Sequence, residues 1–396
     1  MRKPTALLLL LPLIFTQCQA PGTEEAPPAE LSAFVDSLRL VYAPDKRVAI
    51  FNTTIAPAEG GGWEVTGETN FPEAREALLS GLQQMGHTGQ ISLLPETALE
   101  GKAHGVVSLT AANIRSNPKH AAELSTQALM GTPLRVYKKE GGWYLVQTPD
   151  GYLGWLDSGG FQLMSESEAE AFRSGEKAVF LPDFGFAYAA PGSQQVVTDL
   201  IAGNIVQQLG RAGGYLHIRL PDGREGYILA DQGMGWDDWL ESRSPTPENI
   251  LATAERFTGR PYLWGGTSGK GVDCSGFTKT VFFLNGLMLP RDASQQVNSG
   301  VEVPTDTTFA SLQPGDFLFF GRKATAQQPE KITHVAIYKG DGKIIHASGH
   351  VRTESLKRGA PSFNEYRLSS FVRAKRMLTS APAEHGVLPV SQLSSY

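Results

Sequence analysis

An internal repeat limits the folds open to this chain more than any other feature of its 396 residues. The stretch from Gly141 to Leu156 aligns without gaps with the stretch from Gly213 to Ile228. Each copy reads as a strand, a Pro-Asp-Gly turn (149–151 and 221–223) and a second strand in which an aromatic follows glycine, Trp155 in one and Tyr227 in the other. Pro, Asp and Gly suit a tight reversal, and the alternating apolar residues on either side suit a half-buried hairpin. Short alternating strands precede each copy, so the repeat predicts two small β-barrels, over residues 105–165 and 166–243. The copies are not equivalent, because Arg224 stands where the first has Tyr152.

Around the repeat the chain changes character. Residues 31–104 mix two helix-like runs with one strand-like run and read as a small α/β region of unread role. Ser244-Pro245-Thr246-Pro247 breaks the barrel pattern as a linker, and helical spacing resumes at Glu248. From there to about Leu378 the chain reads as one compact α/β unit (248–378). Residues 379–396, rich in Ser, Pro and Ala, are expected to be disordered.

The N-terminus reads as an export signal over residues 1–20, with Arg2 and Lys3 before an apolar stretch from Ala6 to Phe15. Cys18 suits a lipoprotein signal, in which it becomes the lipidated first residue; ordinary cleavage after Ala20 would discard it. Residues 21–30, Pro-rich and polar, suit a tether. The expected location is outside the cytoplasm, periplasmic or at the cell envelope, with membrane attachment through a lipid on Cys18. At 41% hydrophobic and 19% charged the chain is too polar to span a membrane repeatedly. A net charge of -5 supplies no basic field for nucleic acid, which is not an expected partner. A monomer is expected.

The chain has two cysteines, and with Cys18 in the signal Cys274 stands alone. A lone cysteine in an oxidising compartment forms no internal disulfide, so it is either a packed core residue or a reactive thiol. Cys274 precedes an apolar helical stripe (Phe277, Val281, Phe282, Leu284), which sets it on the first turn of a buried helix. There the free N–H groups and the positive end of the dipole are expected to lower the thiol pKa and to hold an oxyanion. A nucleophilic cysteine needs a base, and the base an orienting partner. His334 and His346 lie in a candidate hairpin twelve residues apart. Strand faces alternate, so both rings share a face if pairing is centred on Gly340, which requires an odd-length turn or a bulge. A symmetrical two-residue turn would separate them. No histidine or cysteine spacing supports a metal, and no cofactor is expected.

Five blocks carry a resemblance: Tyr262-Leu263-Trp264-Gly265-Gly266, Asp273-Cys274-Ser275-Gly276-Phe277, the run from Leu312 to Phe320, the run from His334 to Tyr338, and His346-Ala347-Ser348. In this order they resemble the NlpC-type cell-wall cysteine peptidases, which have a papain-like core, and the repeat units resemble bacterial SH3-like domains. The resemblance implies a multi-domain fold: a small N-terminal α/β region, two SH3-like β-barrels, and a papain-like α+β catalytic domain. It implies Cys274 as nucleophile, His334 as base and His346 as the residue that orients the base. One branch with this domain order hydrolyses the γ-D-Glu–diamino acid bond of peptidoglycan stem peptides with a free N-terminal L-Ala. By resemblance Glu123 and Tyr152 of the first SH3-like domain meet that amine, Asp273 is a second acidic contact, Ser275 and Trp264 line the groove, and Tyr262 lends its hydroxyl near the oxyanion. Peptidoglycan-derived peptides are the implied partners, with meso-diaminopimelate and L-Lys both open. Cleavage of polymeric crosslinked murein, or a non-catalytic wall-binding scaffold, are the alternatives.

Overall fold

A computed structural model describes residues 26–306 and 308–396. The export signal and Cys18 lie outside the described residues. Among the described residues no helix is long and apolar enough to cross a membrane.

The N-terminal unit is α/β as read. Helices Ala29–Tyr42 and Pro72–Gln84 cover a three-stranded sheet of Phe51–Pro57, Trp63–Thr69 and Thr88–Leu93, the last pair parallel. Leu31 and Val35 of the first helix and Ala74, Leu78 and Leu82 of the second, at the four-residue spacing of an amphipathic helix, form its core with Val65 of the sheet. The unit docks on the first β domain: Lys138 pairs with Glu68 at 2.7 Å, and the Leu153 amide donates to the Arg47 carbonyl at 2.7 Å.

Both repeat copies form the expected hairpins, in matching register. Trp143–Gln147 pairs with Leu153–Asp157, Trp143 facing Asp157; Tyr215–Arg219 pairs with Glu225–Leu229, Tyr215 facing Leu229. The repeat extends to a bulge in the preceding strand, at Val136/Lys138 and again at Gln208/Gly210. A bulge bends a strand sharply, and here it curls each sheet around its own apolar core. Each copy is part of a seven-stranded antiparallel sheet, and the sheets are open: the outermost strands of each order do not pair with one another. The expected closed barrels are therefore corrected to curled, unclosed SH3-like sheets. A capped helix, Glu166–Ser174, separates the two units; Ser165 and Glu168 form a reciprocal capping box at its start.

The C-terminal unit is α+β. Its sheet has the order Val301–Val303, Phe371–Arg376, Phe317–Arg322, Lys331–Gly340, Lys343–Ser348, His350–Ser355. Helix Cys274–Phe283 packs against the two strands that carry the histidines. Phe317, Phe319, Val335, Ile337, Ile345 and Ala347 turn to one core, and Leu318, Phe320, Ala336, Tyr338 and Ile344 to another, as strand alternation requires.

The tail is ordered, contrary to expectation. Leu388–Pro389 pairs with Leu287–Met288, Val387 and Val390 are buried, and the Tyr396 ring stacks on Trp236 at 5.4 Å. Val387, Val390, Leu393 and Tyr396, each three residues after the last, all pack on the domain core, but the Ser, Pro and Ala around them masked that short period in the sequence.

Candidate active site

A groove opens where the N-terminal unit, the first β domain and the C-terminal domain meet. Cys274 and Ser275 lie at its floor, Tyr262 and Trp264 on one wall, Glu123 and Tyr152 on the β-domain side, and Arg47 and Asp292 beside Tyr152. The β domain is held rigidly to this floor. The Gln127 amide donates to Thr267 Oγ1 at 2.8 Å, and Ser268 Oγ donates to Gln127 Oε1 at 2.8 Å.

Cys274 is the first residue of its helix, and Asp273 is the N-cap, accepting from the Gly276 amide at 2.7 Å. Gly276 is required here: a Cβ on it would lie 1.9 Å from the Gly266 carbonyl oxygen. The thiol reaches the groove but is only 7% exposed. Burial pushes it up to about 11, and the Asp273 charge adds to this; the Val335 and Ser275 amides beside the sulfur oppose the rise without overcoming it. The expected lowering of the thiol is not what prevails: burial and the Asp273 charge raise it by more than the Val335 and Ser275 amides and the Arg291 guanidinium lower it. The resting sulfur is protonated.

The two histidines meet. His334 Nε2 and His346 Nδ1 are 2.8 Å apart, with the rings at 87°. The hairpin has the required irregularity: Ile337 pairs with Ile345 and Tyr338 with Ile344, while Gly340 pairs with Lys343, leaving Lys339 as a bulge. The two-residue turn Asp341-Gly342 has positive φ at both positions, 53° and 71°. Pairing is centred on Asp341, one residue beyond the expected Gly340. That register sets His346 opposite Ala336, so the rings are diagonal neighbours on one face.

A fourth group, missed in the sequence, fixes the protons. Glu354 Oε2 lies 3.0 Å from His346 Nε2 and accepts from Asn364 Nδ2 at 2.6 Å, while Arg352 pairs with Oε1 at 2.8 Å. The bond to His346 holds its carboxyl at about 2, so it is ionised and accepts only. His346 must then donate from Nε2 and accept at Nδ1, and His334 must donate from Nε2. The lone pair of His334 is left on Nδ1, as a base requires. Burial, then Arg367, then His346 hold His334 well below the ordinary imidazole value, so this base is neutral at rest. Sulfur and imidazole are not hydrogen-bonded to each other here, and such bonds commonly tighten only with substrate. Glu354→Gln keeps the shape and removes the charge that meets a proton shared by the two rings. We expect kcat to fall roughly tenfold, a fraction of the ~100-fold or more a positioned base supplies. The acid limb of the pH profile should move to lower pH, because Glu354 raises the His346 pKa. A purely structural role would leave that limb in place.

The amine-facing residues are partly redistributed. Tyr152 is buried, and its hydroxyl donates to Asp292 Oδ2 at 3.1 Å. Glu123 is exposed and accepts from Trp264 Nε1 at 2.6 Å, with Trp264 62% exposed. Tyr262 is half-buried beside the thiol; burial first, then Cys274, raises its pKa. Ser275 accepts from Arg291 Nη1 at 3.1 Å. Asp273 lines the groove as well, and its carboxylate is ion-paired. The fully buried Arg291 neutralises it at 2.6 Å and also donates to Thr126 Oγ1 at 3.0 Å. The carboxylate beside Tyr152 is Asp292, which sequence reasoning missed; in sequence it reads only as the Asp of an ordinary Asp-x-x-Gln helix cap with Gln295. In the second repeat Arg224 is taken up by Asp222 at 2.7 Å and the Val197 carbonyl at 2.8 Å.

Comparison with known proteins agrees with this geometry. Residues 259–367 match the NlpC/P60 family, and residues 114–160 match the bacterial dipeptidyl-peptidase Sh3 domain. The chain is 30% identical over 256 residues to a gamma-D-glutamyl-L-lysine dipeptidyl-peptidase of Bacillus cereus, covering 62% of this chain and 74% of the relative. It is 29% identical over 232 residues to the Bacillus subtilis protein of the same name, covering 57% and 72%. A crystal structure of an NlpC/P60 family protein from Bacillus cereus superposes with a TM-score of 0.59 at 24% identity, covering 70% of this chain and 100% of that one, and so shares the fold.

Proposed function

The chain belongs to the NlpC/P60 family and is a cysteine peptidase resembling those that act on peptidoglycan peptides, and from that premise we propose that it cleaves the γ-D-Glu–diamino acid bond of stem peptides that begin with a free L-Ala. The observation that carries the reading is the carboxylate Asp292 beside the buried Tyr152 hydroxyl, at the end of the groove whose floor is Cys274. With Glu123 on the same side, the groove offers negative charge where a free ammonium would sit, and none that an acylated or glycan-linked alanine could use.

Cys274 is the only cysteine in the matched segment 259–367 and serves as nucleophile. With a protonated thiol and a neutral imidazole at rest, the proton passes to His334 Nδ1 as sulfur attacks the γ-carbonyl, and His346 with Glu354 takes up the developing charge. The tetrahedral oxyanion is held at the helix start, with the Tyr262 hydroxyl beside it. Collapse releases the diamino acid amine, which takes the proton back, and leaves a thioester. Water, deprotonated by His334, then frees L-Ala-γ-D-Glu. Asp292, Tyr152 and Glu123 hold the ammonium. Asp273 and Arg291 keep the helix start and Ser275 in place.

The test is a pair of L-Ala-γ-D-Glu-diamino acid peptides, one with a free and one with an acetylated N-terminus. The expected result is dipeptide release from the free form with kcat/KM about 100-fold higher, the scale of one lost charge-assisted contact. Equal rates would remove the amine-recognition reading, and cleavage of intact crosslinked murein at the same rate would favour a polymer-cutting enzyme.

A further inference from the structure

We propose that the N-terminal α/β unit is part of the amine subsite, through Arg47 acting as the residue that holds Asp292 in place; this rests on the functional reading above. Arg47 lies on the loop after helix Ala29–Tyr42 and reaches into the groove beside residues of both other domains. All three of its guanidinium nitrogens are hydrogen-bonded. Nε and Nη2 form a fork with Asp45, at 2.8 and 2.7 Å, and Nη1 donates to Asp292 Oδ2 at 2.7 Å and to Ser294 Oγ at 2.8 Å. Gln295, on the helix that Asp292 caps, donates back to Asp45 Oδ2 at 2.9 Å and closes a ring of side chains across the domain boundary.

The charges show why such a clamp would not cancel the site it supports. Asp45 and Arg47 neutralise one another, so the trio with Asp292 keeps one net negative charge. Burial alone would raise Asp45, but the bonds from Arg47 and Gln295 hold it at about 2, so the clamp stays charged over the working pH range. The oxygen that Arg47 grips is the one that accepts from Tyr152. Arg47 thereby fixes the carboxylate rotamer and, through it, the tyrosine hydroxyl. Arg47 is a positioning residue, and specificity for the ammonium depends on its domain.

The experiment uses the whole chain with the free and acetylated peptides. Arg47→Ala is expected to raise KM for the free-amine peptide about tenfold with kcat within about twofold, the scale of one misplaced charge-assisted bond. KM for the acetylated peptide should not change, so the preference between the two shrinks by the same factor. Arg47→Lys, which keeps the charge without the fork, should recover part of the loss. Lys138→Ala removes the Glu68 ion pair that docks the same unit away from the groove, and should leave both KM values unchanged. A preference intact in Arg47→Ala overturns the inference alone, as does an equal loss in Lys138→Ala, which would reduce Arg47 to a docking contact. A lower KM in Arg47→Ala also overturns it, because Arg47 would then be competing with the amine. Wild-type enzyme with no preference between the peptides would overturn the functional reading and this inference together.

Discussion

Cys274→Ala is expected to abolish peptide hydrolysis, by ~10⁴-fold or more, while leaving the fold intact. The substitution deletes one sulfur and retains the Cβ, so the packing cost in the core around Phe277 and Val335 stays within about 2 kcal/mol. Circular dichroism and the melting temperature should match the wild type while product mass shows no dipeptide. Turnover surviving in this variant would make the groove a binding surface and the chemistry something else.

The largest effect on stability should come from Arg291→Ala. Arg291 is 1% exposed and its guanidinium spends its bonds on Asp273, Ser275 and Thr126, so it ties the nucleophile helix to the first β domain. Removing it leaves Asp273 buried and uncompensated beside the thiol, a loss of about 3–5 kcal/mol. The melting temperature should fall by roughly 10 °C. The paired change Arg291→Met with Asp273→Asn removes both charges and should recover much of the loss. A melting temperature unchanged in Arg291→Ala would mean that the pair does not support the domain.

These two residues also mark what could be read in the sequence. Cys274 was legible because its helix stripe and flanking glycines are local. The histidine pairing was legible as a condition on register, and the bulge at Lys339 meets it at a centre one residue beyond the expected one. The same parity argument would have found Glu354, eight residues after His346 around the turn at Gly349, had the third strand been included. Asp292 and Arg291 were not legible, because Asp292 reads locally as a helix cap and nothing local announces that Arg291 is buried against Asp273. Arg47 was beyond reach altogether, since the groove partner it holds, Asp292, comes from a separate domain 245 residues away in the chain. The thiol shows the same limit: the helix start acts locally, but burial by the whole domain decides its proton. The tail residues Val387, Val390, Leu393 and Tyr396 recur every third position, but the period spans too few residues within a Ser-, Pro- and Ala-rich stretch to stand out, and yet they pack on the core.

The central claim is that peptide bond cleavage passes through a thioester on Cys274. It is tested most directly by mixing enzyme with the free-amine peptide, quenching in acid during turnover and measuring the intact protein mass with its site of modification. The account predicts an added L-Ala-γ-D-Glu acyl group on Cys274, absent from Cys274→Ala. Full turnover with an unmodified Cys274, or with the acyl group on another residue, would contradict it.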